Sequence, residues 1–215
     1  MSNESEYQNP YVIYGDRVLE QVAWLPLQSR WAFDLACLAR EVVVYEKVSH
    51  LCGAEHLLDV PGILGDLWGW LLEGRAVPPP HTHTIESAIP YPKGPDFFGF
   101  RLDILGNLLS AVGRALSCGK DDSLCGVTAE RNINIVLGFL CVSYDLVDNG
   151  VEANQLVINN SLILREIDRQ QEDLKLLYAA GDYTTELGRQ IRELSTGYDL
   201  FDGEWFPQSK LPRSG

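Results

Sequence analysis

Cys52 and His56 stand four residues apart, about one helical turn, and His81 and His83 follow on a proline-rich stretch. Thiolate and imidazole are ligands that zinc takes, usually four together in a dedicated spacing. No such spacing is present, so these residues read as a helix-end cysteine and two loop histidines, and no metal is expected. Cys118 and Cys125 bracket a Gly-Lys-Asp-Asp turn and are expected to stay reduced. Nucleophilic catalysis needs a Ser or Cys beside a positioned base. Neither a Gly-x-Ser-x-Gly elbow nor a phosphate-cradling Gly-x-x-x-x-Gly-Lys-Ser/Thr loop occurs, so no catalytic residue and no cofactor is expected.

Carboxylates are the remaining chemical resource. Asp121-Asp122, Glu172-Asp173 and Glu166-x-Asp168 have the composition of acid–base pairs or Mg²⁺ ligands. Yet Glu166, Asp168, Arg169, Glu172, Asp173 and Lys175 alternate in sign along one helical stretch, the pattern of a solvated face. Placed outward, such groups bind partners. Glu166, Asp168, Glu172 and Asp173 are therefore candidate partner-binding residues, and Asp199, Asp202, Glu204 and Trp205 of the C-terminal tail join them. That tail interleaves Tyr198, Phe201, Trp205 and Phe206 with three carboxylates, as contact surfaces do. Alternatively, Leu200, Phe201, Trp205 and Phe206 fold back and close the core.

These residues must be positioned by helices. Trp31, Leu35, Leu38, Val42 and Tyr45 recur at spacings of four and three, so a helix starting near Leu27 carries one apolar face, with Arg30, Asp34, Arg40, Glu41 and Lys47 opposite. Asp59 suits an N-cap, Pro61 sits early enough to be tolerated, and Ile63, Leu64, Leu67, Trp68, Leu71 and Leu72 follow before Gly74 ends the run. Three prolines make 77–84 a loop. Helical period returns over 98–118, and again after Thr128, where 133–142 is apolar nearly all round and should be central. A long helix over about 154–180, stopped by Gly181, turns Leu156, Ile163, Ile167, Leu174 and Leu177 inward. A shorter helix follows over 184–196. A short extended piece is possible at 11–14. The expected class is all-α: one irregular bundle of six to seven helices over 27–197, with an N-terminal arm at 1–26 and a tail at 198–215.

With 30 Asp and Glu against 17 Lys and Arg, the 215-residue chain carries a formal charge of −13. Nucleic-acid binders draw affinity from clustered cations, so nucleic acid is not an expected partner. The longest strongly apolar stretch, 133–142, falls well short of the roughly 20 residues that cross a bilayer, so no membrane is expected either. The first ten residues, MSNESEYQNP, are polar and acidic rather than signal-like. Five cysteines, an odd number partly set in apolar helical patterns, suit a reducing compartment, and a cytoplasmic location is expected.

The run Arg30-Trp31-Ala32-Phe33-Asp34-Leu35-Ala36-Cys37-Leu38-Ala39-Arg40-Glu41 resembles the first helix of the YjaG-like bacterial family of helical proteins of unknown function. The segment Leu64-Gly65-Asp66-Leu67-Trp68-Gly69-Trp70-Leu71-Leu72 is similar to that family's second helix. Glu86-Ser87-Ala88-Ile89-Pro90 leading to Asp96-Phe97-Phe98-Gly99-Phe100 continues the likeness, which spans roughly residues 27–147. The resemblance implies an all-helical fold; it assigns no chemistry and transfers no catalytic residue.

Size, helical class and strong negative charge together raise the expectation of a binding protein rather than an enzyme. The specific expectation is an immunity protein of the antitoxin type that neutralises a cognate, basic bacterial toxin by occluding its active site. A homodimer is possible. The alternatives are an enzyme of unassigned reaction with a site between helices, or a housekeeping interaction protein.

Overall fold

The protein's structure, a computed structural model, describes residues 10–52, 59–74 and 161–198. The described residues form five α-helices and no strand: α1 (Pro10–Ala23), α2 (Leu27–Cys52), α3 (Val60–Glu73), α4 (Ser161–Ala180) and α5 (Thr185–Thr196). The class is all-α, as the periodicity predicts. The helices expected over 98–118 and after Thr128, the loop at 77–84 and most of the C-terminal tail lie outside the described residues.

Local chemistry explains the ends of these helices. The Asp59 carboxylate accepts the Gly62 N–H at 2.9 Å, and Pro61, which has no N–H to lose, occupies the first turn of α3. Gly74 closes that helix in the left-handed region, at φ 66°, where its N–H reaches the Trp70 carbonyl at 3.0 Å. At α5 the Thr184 hydroxyl accepts the Leu187 N–H at 3.1 Å. All three boundaries coincide with the residues that the sequence marks for them. The possible extended piece at 11–14 is corrected: those residues belong to α1. Val18, Val22 and Leu25 recur at spacings of four and three, and all three are buried, so the segment gains more as a helix with one face in the core.

α2 is the axis of the described fold and contacts each of the other four helices. Every residue from Ala32 to Arg40 is buried. A helix covered on several sides buries polar as well as apolar positions, so the expectation of an outward Asp34 and Arg40 is corrected; Leu35, Leu38 and Val42 lie in the core as expected. α3 covers one flank with Val60, Ile63, Leu64, Leu67 and Trp68, and the Trp31 and Trp70 rings meet across α2 and α3 at a centroid distance of 4.4 Å. α5 brings Leu187 and Ile191 against the same core.

Close approach of α5 depends on Gly188. A Cβ there would overlap the Tyr183 hydroxyl and stand 2.7 Å from Cδ2 of the half-buried Leu72 of α3, so both side chains would have to move away from the core they pack against. Gly188→Ala should therefore lower stability by about 1–3 kcal/mol despite the better helix propensity of Ala. Urea unfolding followed by circular dichroism reads this directly, and a neutral or stabilising effect would show that α5 can shift without cost.

Candidate functional site

Across α2 and α4 the core is ionic. The two positions of α4 that matter, Glu166 and Asp173, are seven residues apart and so share one face two turns from each other. Arg40 of α2 projects between them. Its Nε donates to Glu166 Oε2 at 2.8 Å, Nη2 to Glu166 Oε1 at 3.1 Å and Nη1 to Asp173 Oδ2 at 2.9 Å. Nη2 also lies 3.4 Å from Cys37 Sγ, one turn earlier on α2. Arg40, Glu166 and Asp173 are each no more than 1% exposed.

A second layer holds the first. Arg169 Nε donates to Asp173 Oδ1 at 3.1 Å, while its Nη1 reaches outward to Glu172 Oε2 at 3.0 Å. Gln170 Nε2 donates to Glu166 Oε1 at 2.8 Å and receives, on its own Oε1, the Tyr14 hydroxyl of α1 at 3.0 Å. Three helices thus meet at one hydrogen-bonded cluster. Among the described residues, Glu166 is met by one cation and a neutral donor and Asp173 by two cations, which is the condition under which charges persist in a low-dielectric interior.

Burial works against the charge of Arg40, but Glu166, Cys37 and Asp173 beside it hold the guanidinium above its ordinary value, and it stays protonated. Burial pushes the Cys37 thiol well up, against the opposing pull of Arg40. Nucleophilic sulfur is thiolate, so Cys37 packs as a small hydrophobe at neutral pH. The arrangement consequently locks the register of α2 against α4. With its donors directed at Glu166, Asp173 and Cys37, Arg40 acts as a clamp.

Burial also raises the Tyr14 phenol above its ordinary value, with the Gln171 hydrogen bond opposing, and burial raises Tyr183 and Tyr198 too. The folded state therefore keeps these phenols neutral longer than the unfolded chain does. Their contribution is full below the unfolded value of about 10 and is lost as pH rises through the folded values. The melting temperature should fall steeply above about pH 10, and Tyr14→Phe should flatten that fall even though it loses the Gln170 bond at neutral pH. An unchanged slope in the variant would mean that Tyr14 titrates freely.

The sequence-predicted binding residues divide accordingly. Glu166 and Asp173, expected on an outward face, are inside the fold, and this is a correction: sign alternation looks like a solvated face whether the opposing charge comes from water or from a second helix. Asp168 and Glu172 are exposed on α4, with Glu172 paired to Arg169. Asp199, Asp202, Glu204 and Trp205 lie outside the described residues, as do His56, His81 and His83, and Cys52 ends α2. Among the described residues, no group of three or more His, Cys, Asp or Glu is arranged to hold a metal ion, and no helix is long and apolar enough to cross a membrane. Sequence reasoning missed Tyr14, Cys37, Arg40 and Gln170 as members of the cluster. A signal existed: 166, 170, 173 and 177 form one helical stripe, and Leu177 in it is fully buried.

Fold and cluster define an all-α protein whose central helix is tied to a late helix by internal ion pairs. The fold is shared with a solved protein: the chain superimposes on the crystal structure of a DUF416 family protein from Shewanella baltica OS155 with a TM-score of 0.68, covering 82% of this chain and 92% of that one at 16% sequence identity. No protein-family model and no curated protein matches the chain.

Proposed function

We propose that this chain works by binding, as an acidic immunity protein of the antitoxin type that neutralises a cognate basic toxin by covering its active site. The observation that carries the reading is the net charge of −13. A field of that sign speeds encounter with a cationic protein and disfavours anionic partners. Asp168 and Glu172, exposed on α4, are the described residues of the expected set that remain available to a partner. The finer expectations belong to the same proposal: a single irregular bundle of six to seven helices, in the cytoplasm, with homodimerisation open.

A pull-down of the tagged chain from its own cells, at low and then moderate salt with mass-spectrometric identification, tests the reading. One stoichiometric basic protein, released as salt rises, supports it, and recovery of none would move the weight to another role. With that partner purified, Asp168→Lys combined with Glu172→Lys should slow association about tenfold at low ionic strength, with less effect at high salt. An unchanged association rate would place the interface elsewhere.

A further inference from the structure

On one side the ionic cluster is covered by α1, through Tyr14. The Tyr14 hydroxyl donates to Gln170 Oε1 at 3.0 Å, and Gln171 Nε2 donates back to it at 3.4 Å. The ring stands close enough to Cys37, Glu166 and Arg40 to interact electrostatically with each. Asp16, Arg17 and Glu20 are exposed on the far face of α1, so the helix lies between the cluster and solvent.

α1 is held lightly for a helix in that position. Among its described side chains it buries Val18 and Val22, whereas α3, equally long, buries Val60, Ile63, Leu64, Leu67 and Trp68. Its attachment to α4 is a polar seam. Gln171 Nε2 also meets Gln21 Oε1 at 3.4 Å, and the Gln21 carbonyl accepts from the exposed Tyr178 hydroxyl as well as from the Trp24 N–H. Water replaces half-exposed bonds of this kind at small cost. Local opening of native proteins is concentrated in elements with few buried apolar side chains.

The connection to α2 has the form of a pivot. Residues 24–26 link the two helices, with Leu25 buried as the fixed point and Trp24 exposed beside it. Arg30, in the first turn of α2, reaches back: Nε donates to the Leu25 carbonyl and Nη2 to the Ala23 carbonyl, each at 2.7 Å. Those carbonyls lie at the negative end of α1, where a cation is favourable. Arg30 thus sets the angle of α1 at the pivot, and Tyr14 fixes it further along.

We propose that α1 is a lid on the ionic cluster, hinged at 24–26 and latched by Arg30 and Tyr14, which opens while α2, α3, α4 and α5 stay packed. Its position sets how firmly α4 is registered on α2. Closed, it keeps water from Arg40, Glu166 and Asp173, and they act as buried pairs. Open, it admits water, and each pair falls toward the small worth of an exposed one. The lid is independent of the binding function proposed above.

The test reads opening on the intact chain in two ways: hydrogen exchange by mass spectrometry, and alkylation of Cys37 by iodoacetamide followed on the Cys37 peptide. Cys37 is fully buried beside the cluster and reports its exposure. Amides of α1 should be protected about tenfold less, or weaker still, than those of residues 32–40, with Cys37 protected to the degree of α1. Arg30→Gln should speed α1 exchange and Cys37 alkylation together by about tenfold, the worth of a charge-assisted bond, with exchange over 32–40 unchanged. Tyr14→Phe, which keeps the ring and drops the Gln170 bond, should act in the same direction by about threefold. Gly188→Ala, which disturbs α5 and leaves the latches intact, should speed exchange over 32–40 more than alkylation of Cys37. Cys37 protected like residues 32–40 and moving with them in all three variants would overturn the lid, because the cluster would then open only with the whole fold. Rapid α1 exchange with Cys37 still protected would overturn it as fraying that uncovers nothing. Rapid alkylation with α1 still protected would overturn it by placing the opening elsewhere.

Discussion

Replacing Arg40 with Met should cost the fold about 3–5 kcal/mol, because it leaves two buried carboxylates facing each other without the cation that both contact. Glu166 would keep Gln170, and Asp173 would keep Arg169. Neither supplies the bridge from α2, so α4 loses its registration as well as its charge balance. Neutralising the partners should reverse part of the loss: Arg40→Met with Glu166→Gln and Asp173→Asn should be more stable than Arg40→Met alone, since an unpaired buried amide costs less than an unpaired buried charge. Urea midpoints for the wild type, single and triple variants check this. A single-variant loss below about 1 kcal/mol, the size expected of an exposed ion pair, would show that water reaches the cluster.

Trp68→Ala should cost a similar amount, about 3–5 kcal/mol, for a different reason. Its side chain is 1% exposed and among the largest fully enclosed ones, so truncation opens a cavity between α2 and α3. Trp68→Phe should cost much less, within about 1.5 kcal/mol. The Trp68 Nε1–H is buried without a hydrogen-bond partner, and phenylalanine keeps most of the apolar ring volume while removing that desolvated donor. Thermal and urea unfolding of the two variants decide between volume and polarity. Equal losses from both would mean that the indole makes a specific contact which its ring size alone does not explain.

The two predictions differ in how far they were legible beforehand. Trp68 lies in an amphipathic run with a cap at Asp59 and a stop at Gly74, and its burial follows from spacing within fifteen residues of chain. The same kind of reasoning places Arg40 on the solvent side of α2, whereas it is 1% exposed. The period of that helix is correct, since Leu35, Leu38 and Val42 are all in the core. A period shows which residues share a face and says nothing about what covers the other faces. On α4 the pattern misleads in the same way: Asp168 and Glu172 face solvent, while Glu166 and Asp173 do not.

What the sequence by itself determined is the helical class of the described residues, the cap at Asp59, the final helix over 184–196, the stops at Gly74 and Gly181, and the net charge. The helices, caps and stops follow from interactions within one or two turns of chain, and the charge from composition alone. Only the tertiary structure decided that the charges of α2 and α4 neutralise one another. Arg40 and Glu166 are 126 residues apart, and their 2.8 Å bond exists only because packing brings the two helices together. The same packing decided that Trp24 stands beside Tyr178, 154 positions later in the chain, on a surface that no local spacing could reveal.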